Sequence, residues 1–289
     1  MNRMYLGLLG AVLLSSAVSG AEAADLTAPQ PYVPYAPPVA EPAAASGWYL
    51  RGDIGVGING LDRFSEAWID NGDATHTTSW LKKSVGDSTV LDVGVGYQFN
   101  DYLRGDVTVQ YRTGAHFLSI DNTVDRTGGA TNGNTIQNVI NGDVSSTVLM
   151  GNVYWDITHW NGLTPFVGAG LGAAYNRTSG VSDVTTGTYS GMVGLFADQG
   201  KWNLAYALHA GVAWDVNSRL KLEAAYSFQS LGDAKLLETT CIPSSSCTSG
   251  PEQYSIKKLY SNDFRIGARW LFDAPAAPSF ASYPVVAKN

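Results

Sequence analysis

YLRGDVTVQYRT, residues 102–113, sets Leu103, Val107, Val109 and Tyr111 at alternating positions, with Arg104, Asp106, Thr108, Gln110 and Arg112 between them. A period of two sends the first set to one face of a strand and the second set to the other, whereas a helix would mix them. One face therefore needs an apolar surrounding, and the other needs water or counter-charges.

The same alternation recurs on either side. Residues 46–58 place Trp48, Leu50, Ile54 and Val56 against Tyr49, Arg51 and Asp53, and residues 89–99 place Leu91, Val93, Val95, Tyr97 and Phe99 against Asp92, Gly94, Gly96 and Gln98. Segments near 147–157, 165–176, 204–216, 220–229 and 263–272 complete a set of eight. Long polar stretches rich in Gly, Asn, Ser and Thr follow the first, third, fifth and seventh, and only a few residues follow the second, fourth and sixth. Short turns at one end and long loops at the other are how an up-and-down membrane barrel is built. The expected fold is all-β: a closed eight-stranded antiparallel up-and-down transmembrane β-barrel with four long extracellular loops. Closure follows from the solvent, because an unpaired amide in hydrocarbon costs several kcal/mol. At eight strands the interior is only wide enough to be filled by side chains.

Four strand ends repeat one pattern: Tyr97-Gln-Phe99, Trp155-Asp-Ile157, Trp214-Asp-Val216 and Trp270-Leu-Phe272. Amphipathic aromatics prefer the membrane–water boundary, so Trp48, Tyr97, Phe99, Trp155, Trp214, Trp270 and Phe272 are expected as membrane-interface aromatics at one height. Tyr111, Tyr175, Tyr206 and Phe264 are expected in the opposite belt.

Arg3 precedes an apolar run over residues 5–18 and then Ala21-Glu22-Ala23, the pattern of a secretory signal peptide spanning 1–23. Proline and alanine dominate 24–45, read as a periplasmic spacer; the barrel occupies 46–272, and 273–289 is read as a periplasmic tail. Of the 289 residues 45% are hydrophobic, yet no run of ~18 apolar residues follows the leader, which excludes helical spans and leaves insertion to strands. Twenty-five acids against 18 bases give a net charge of −7, which argues against a nucleic-acid partner.

The polar faces collect Arg51, Asp53, Asp92, Arg104, Asp106, Arg112, Asp156, Lys221, Glu223, Arg265 and Arg269, acids and bases in near balance. This is read as an ion-paired barrel interior rather than catalytic machinery. No catalytic residue, cofactor site or metal site is expected, since His76, His116, His159 and His209 are scattered without ligand or triad spacing. His209 is expected to hydrogen-bond inside. Gly55-Val-Gly57-Ile-Asn-Gly60 and Gly168-Ala-Gly170-Leu-Gly172-Ala173 match dinucleotide fingerprints but lie in strands, where Gly94, Gly96, Gly168, Gly170 and Gly172 would make room for bulky inward side chains. Cys241 and Cys247 in an exported chain suggest a disulfide closing a small loop.

Gly47-Trp48-Tyr49-Leu50-Arg51-Gly52-Asp53 opening the first strand and Asp263-Phe264-Arg265-Ile266-Gly267-Ala268-Arg269-Trp270-Leu271-Phe272 closing the last complete the pattern. With the leader and spacer, this resembles the opacity-protein-like and OmpA-like family of outer-membrane surface antigens, especially its small alphaproteobacterial members. The resemblance implies residence in the bacterial outer membrane among its lipids. It also implies insertion by the barrel assembly machinery through a final aromatic, here Phe272, although the chain runs on to Asn289 where the family pattern stops. The expected role is envelope structure and surface interaction through the loops. A narrow porin is the first alternative; the second is haem or host-ligand binding by the loops, with Trp68, His76, Trp80 and His116 as candidates. A soluble, lipocalin-like barrel would need an apolar interior, and the inward charges oppose it.

Overall fold

The computed structural model describes residues 46–66, 76–125, 135–187, 191–242 and 253–272. The leader, spacer and tail, 1–45 and 273–289, lie outside the described residues. Within them the chain is all β, and no helix is long and apolar enough to cross a membrane. Eleven strands run in chain order: β1 (Gly47–Gly60), β2 (Arg63–Glu66), β3 (His76–Val85), β4 (Ser88–Gln98), β5 (Leu103–Asp125), β6 (Thr135–Asp156), β7 (Leu163–Gly187), β8 (Met192–Ala197), β9 (Gln199–Asp215), β10 (Leu220–Ile242) and β11 (Gln253–Leu271).

Eight of these match the sequence expectation, and each pairs antiparallel with two others of the eight. One path of paired residues runs from Trp270 through Leu50, Val95, Val107, Gly151, Leu171, Tyr206 and Ser230, and returns to β11 at Tyr260. The ladder thus comes back to the strand where it began, displaced by ten residues, the kind of stagger that tilted strands produce in a barrel.

The three short connections define a turn end. Asn100 Oδ1 accepts from the Tyr102 and Leu103 amides at 2.8 Å, and Asn217 Oδ1 accepts from the Arg219 and Leu220 amides at 2.9 Å. These side chains satisfy the turn amides that the ladder cannot reach. Between β6 and β7 the turn is Asn161-Gly162, at φ 48° and 81°, the left-handed pair that a tight hairpin needs.

The opposite, loop end departs from expectation. Segments read as loops are in large part strand: β5, β6, β7 and β10 span 23, 22, 25 and 23 residues, and β2, β3 and β8 are additional. A lipid-crossing strand needs only about 9–11 residues. Beyond that length the alternation continues with reversed polarity. Along β6, inward Ile140, Val144, Val148 and Met150 give way to Asn152, Tyr154 and Asp156, while outward Asn141, Asp143, Ser145 and Thr147 give way to Leu149, Val153 and Trp155. β10 repeats the switch: inward Leu236, Ala234 and Leu231 precede Gln229, Ser227 and Glu223 on the way to the turn end. The loop-end interior is a hydrophobic core around Phe64, Phe117, Ile140, Leu236, Tyr254 and Ile256. The turn-end interior is ionic.

At the loop end the pairing follows a different order. β1 gives way to β2, which stays on β11, and β3 stays on β5. Lys83 reaches across to the Asp62 carbonyl at 3.2 Å, and the Phe64 and Trp80 rings meet at 5.8 Å.

Candidate functional site

The inward charges foreseen from the alternation do converge. Glu223, from β10, lies 2.9 Å from Arg269, 3.6 Å from Arg104 and 3.8 Å from Arg51. Arg51 also grips Asp53 at 2.9 Å and Asp106 at 3.0 Å, and Arg104 reaches Asp156 at 3.1 Å. Toward the loop end Arg265 donates to Asp92 at 2.8 Å, and Arg112 forks onto Asp263 at 3.0 and 3.1 Å. All these side chains are buried. Burial of so many charges is tolerable only because each has an opposite charge and hydrogen bonds beside it.

Lys221 stands apart from this network. It pairs with Asp215 across the β9–β10 ladder, and the two side chains are 13% and 34% exposed at the turn-end rim. Its backbone pairs with Arg269 across the β10–β11 ladder, but its ammonium turns to Asp215 and away from that like charge.

Several members were not singled out in the sequence. The Tyr49 hydroxyl donates to Asp106 at 3.1 Å, Asn152 Nδ2 donates to Asp106 at 2.8 Å, and Arg51 donates to the Tyr154 hydroxyl at 2.8 Å. The Arg104 guanidinium lies 4.2 Å from the Tyr154 ring centre and 4.6 Å from that of Phe166, a stacked arrangement that stabilises a desolvated cation. The alternation itself points Tyr154 and Asn152 inward, which was the available signal. His209 does hydrogen-bond inside, with Ser227 at 2.7 Å and Asn152 at 3.1 Å. Glycine supplies the space: a β-carbon on Gly96 would enter the Tyr49 ring, and one on Gly168 would enter the Tyr154 ring.

The outer face of the turn half carries Ile54, Val93, Val107, Leu149, Leu208 and Ile266 exposed. At its turn-end edge Trp48, Phe99, Trp155, Trp214, Trp270 and Phe272 are exposed, and half-buried Tyr97 lies edge-on to Trp48 and Phe99 at 5.4 and 5.3 Å. Tyr111, Tyr206, Phe264 and Tyr260 project outward nearer the loop end, with Tyr175 against Trp202 at 5.1 Å.

Of the four loop candidates, the side chains of two, Trp80 and His116, fall among the described residues, and they make separate contacts. Trp68, like the side chain of His76, lies outside the described residues. Trp80 packs on Phe64, and exposed His116 lies 3.3 Å from Asp143. Cys241 is disulfide-bonded near the tip of β10, and Cys247, the other cysteine of the chain, lies outside the described residues.

A strand ladder that is oily outside and ionic inside, with aromatics along the edge of its apolar band, defines an outer-membrane β-barrel. More particularly, the chain belongs to the surface antigen family, whose sequence pattern matches residues 49–272, and it resides in the bacterial outer membrane. It is 33% identical over 235 residues to an uncharacterized protein of Brucella suis biovar 1, covering 74% of this chain and 77% of that one. It is 27% identical over 229 residues to a Rickettsia prowazekii protein named "Putative adhesin", covering 78% and 81%. Neisserial surface protein A aligns over 79% of this chain and 99% of its own at 14% identity and a TM-score of 0.43, too distant to carry an argument.

Proposed function

We propose that the chain is a closed eight-stranded up-and-down transmembrane barrel, its turn end toward the periplasm and its loop end outside the cell, and that it serves surface recognition rather than catalysis or transport. The observation that carries this reading is the polarity reversal along single strands such as β6. Water on both sides of the chain would not select an apolar exterior over one half and a polar exterior over the other. A bilayer around the turn half does. The strands that continue past it hold the distal connections on a packed stalk, which suits presentation of a surface to a partner. The adhesin name of the Rickettsia relative agrees with that use.

The packed ionic interior opposes the porin alternative. A conducting path would have to part Arg51, Arg104 and Arg269 from Glu223. Two measurements test the proposal. Heat-modifiable gel mobility together with protease cleavage within residues 243–252 on intact cells is expected, and an uncut chain on accessible cells overturns the orientation. Planar bilayers containing the purified chain are expected to show no reproducible conductance steps, and regular steps would restore the porin.

A further inference from the structure

The loop end has a seam that no main-chain ladder closes. Among the described residues β2 pairs with β11 alone and β3 with β5 alone. Lys83 shows the opening: it is paired with fully buried Ser119, which puts both on the inner face, yet Lys83 is exposed and sends its ammonium out to the Asp62 carbonyl at 3.2 Å. At the lower end of the seam Asn59 Nδ2 donates to the Gly86 carbonyl at 2.8 Å and to Ser88 Oγ at 2.6 Å. Above that, the Phe64 ring of β2 meets Trp80 of β3 at 5.8 Å and Phe117 of β5 at 6.0 Å. Each of these crossings is made by a side chain.

Two residues past Phe64, Glu66 hydrogen-bonds across the seam to Asp121 of β5. The two residues are 2% and 1% exposed. An ionised carboxylate only accepts, so two carboxyl groups bond to each other only while one of them carries a proton. Asp121 Oδ1 already accepts from the Asn138 amide at 2.9 Å, which makes Asp121 the acceptor and Glu66 the donor. Burial holds the Asp121 carboxyl above the usual carboxylate range in spite of both bonds. The other titratable side chains described on this inner face are Lys83 on β3, turned outward, Tyr254 beside Glu66 on β11, and two further acids, Asp183 on β7 and Glu238 on β10, which flank Gly194.

We propose that Glu66 and Asp121 form a proton-dependent latch: one shared proton ties β2 to β5 and keeps the seam shut over the apolar core, and release of that proton to water leaves two carboxylates in contact and parts the seam. Like charges so close and so far from water cannot both persist. The shut state holds a proton that the open state gives up, so opening grows as the pH rises, by about tenfold per pH unit at its steepest. In the orientation proposed above the seam faces the cell exterior, and external pH then sets whether Phe64 and Trp80 are covered. Only that use rests on the membrane reading; the latch itself does not.

The test is hydrogen exchange of the full-length mature protein in a nonionic detergent, corrected for intrinsic rates. Amides of β2 and β3 are expected to open together, with a slope of up to about tenfold per pH unit somewhere between about pH 5 and pH 8, while amides of β9 at the turn end stay unchanged. In Glu66→Gln the side-chain amide donates to Asp121 without a titrating proton, and the profile is expected to lie flat. Asp121→Asn, whose amide donates to Glu66, is expected to do the same and serves if the first variant misfolds. A parent-like slope in either folded variant overturns the latch, as does a flat parent or a β3 that opens while β2 stays closed. Heat-modifiable mobility of the same samples tests the barrel reading separately.

Discussion

Residues 140–150 and 152–156 belong to one strand, β6, yet they bury opposite chemistries. The loop-end stretch turns Ile140, Val144 and Val148 inward and leaves Asp143 and Ser145 outside; the turn-end stretch turns Asn152 and Asp156 inward and leaves Val153 and Trp155 outside. The backbone is continuous through the change, so the strand itself does not choose what is buried. The surroundings choose. Where water is outside, the interior is stabilised by withdrawing apolar area; where lipid is outside, that drive vanishes and the interior is held by charge pairing and hydrogen bonds.

The most damaging way to break the comparison is to unbalance the ionic half. Glu223→Leu leaves Arg51, Arg104 and Arg269 without their shared carboxylate, and an expected loss of about 3–5 kcal/mol should appear as a lower urea midpoint for unfolding from lipid vesicles. An effect below about 1 kcal/mol would mean that the pairs are dispensable there. In the apolar half, Phe117→Ala empties a fully buried site and is expected to cost about 3 kcal/mol, but locally. Protease should open the loop end while heat-modifiable mobility survives; simultaneous loss of both would show that the halves fold as one unit.

A lysine scan over the outward positions of β6 sharpens the boundary between them. Leu149→Lys and Val153→Lys are expected to cost about 2–4 kcal/mol in vesicles, and Asp143→Lys and Ser145→Lys close to nothing. A flat profile would remove the bilayer from the turn half.

The smallest expected effect is a pH dependence confined to the loop end. Burial pushes the Asp121 carboxyl above the usual carboxylate range, against the opposing hydrogen bonds from Glu66 and the Asn138 amide. The folded state then keeps a proton that the unfolded chain releases, so local stability falls as the pH rises from the ordinary carboxylate value to the raised one. Hydrogen exchange of the 115–124 amides, corrected for intrinsic rates, should quicken over that interval and do so less in Asp121→Asn; an unchanged slope in the variant would assign the effect elsewhere.

The turn half was legible in the sequence because its alternation combines hydrophobic and charged residues, as in Val107-Thr108-Val109-Gln110-Tyr111-Arg112. The loop half alternates as regularly but in a weaker code. In Ile140-Asn-Gly-Asp-Val144-Ser-Ser-Thr-Val148, glycine and serine occupy several positions, and a stretch so rich in turn-forming residues reads as a loop. Neighbouring strands supply what the local composition lacks, since Gly142 owes its burial to Phe117 and Val181 beside it. The network partners were readable as a set, by face, but not as pairs. Arg112 meets Asp263 from 151 residues away, a pairing that depends on the register of the whole ladder.

The passage of β7 through both regimes has a mechanical consequence. Twenty-five residues at ~3.3 Å each make a rod roughly 80 Å long, which at a tilt of about 40° rises about 60 Å. Subtracting an apolar band of about 25 Å leaves some 30 Å or more of strand beyond it, interrupted at Gly180, φ 61°, where the β6–β7 register shifts. In the proposed orientation a partner docking at the tips would load the hydrogen-bonded staves, and the irregularity at Gly180 is where they would bend first.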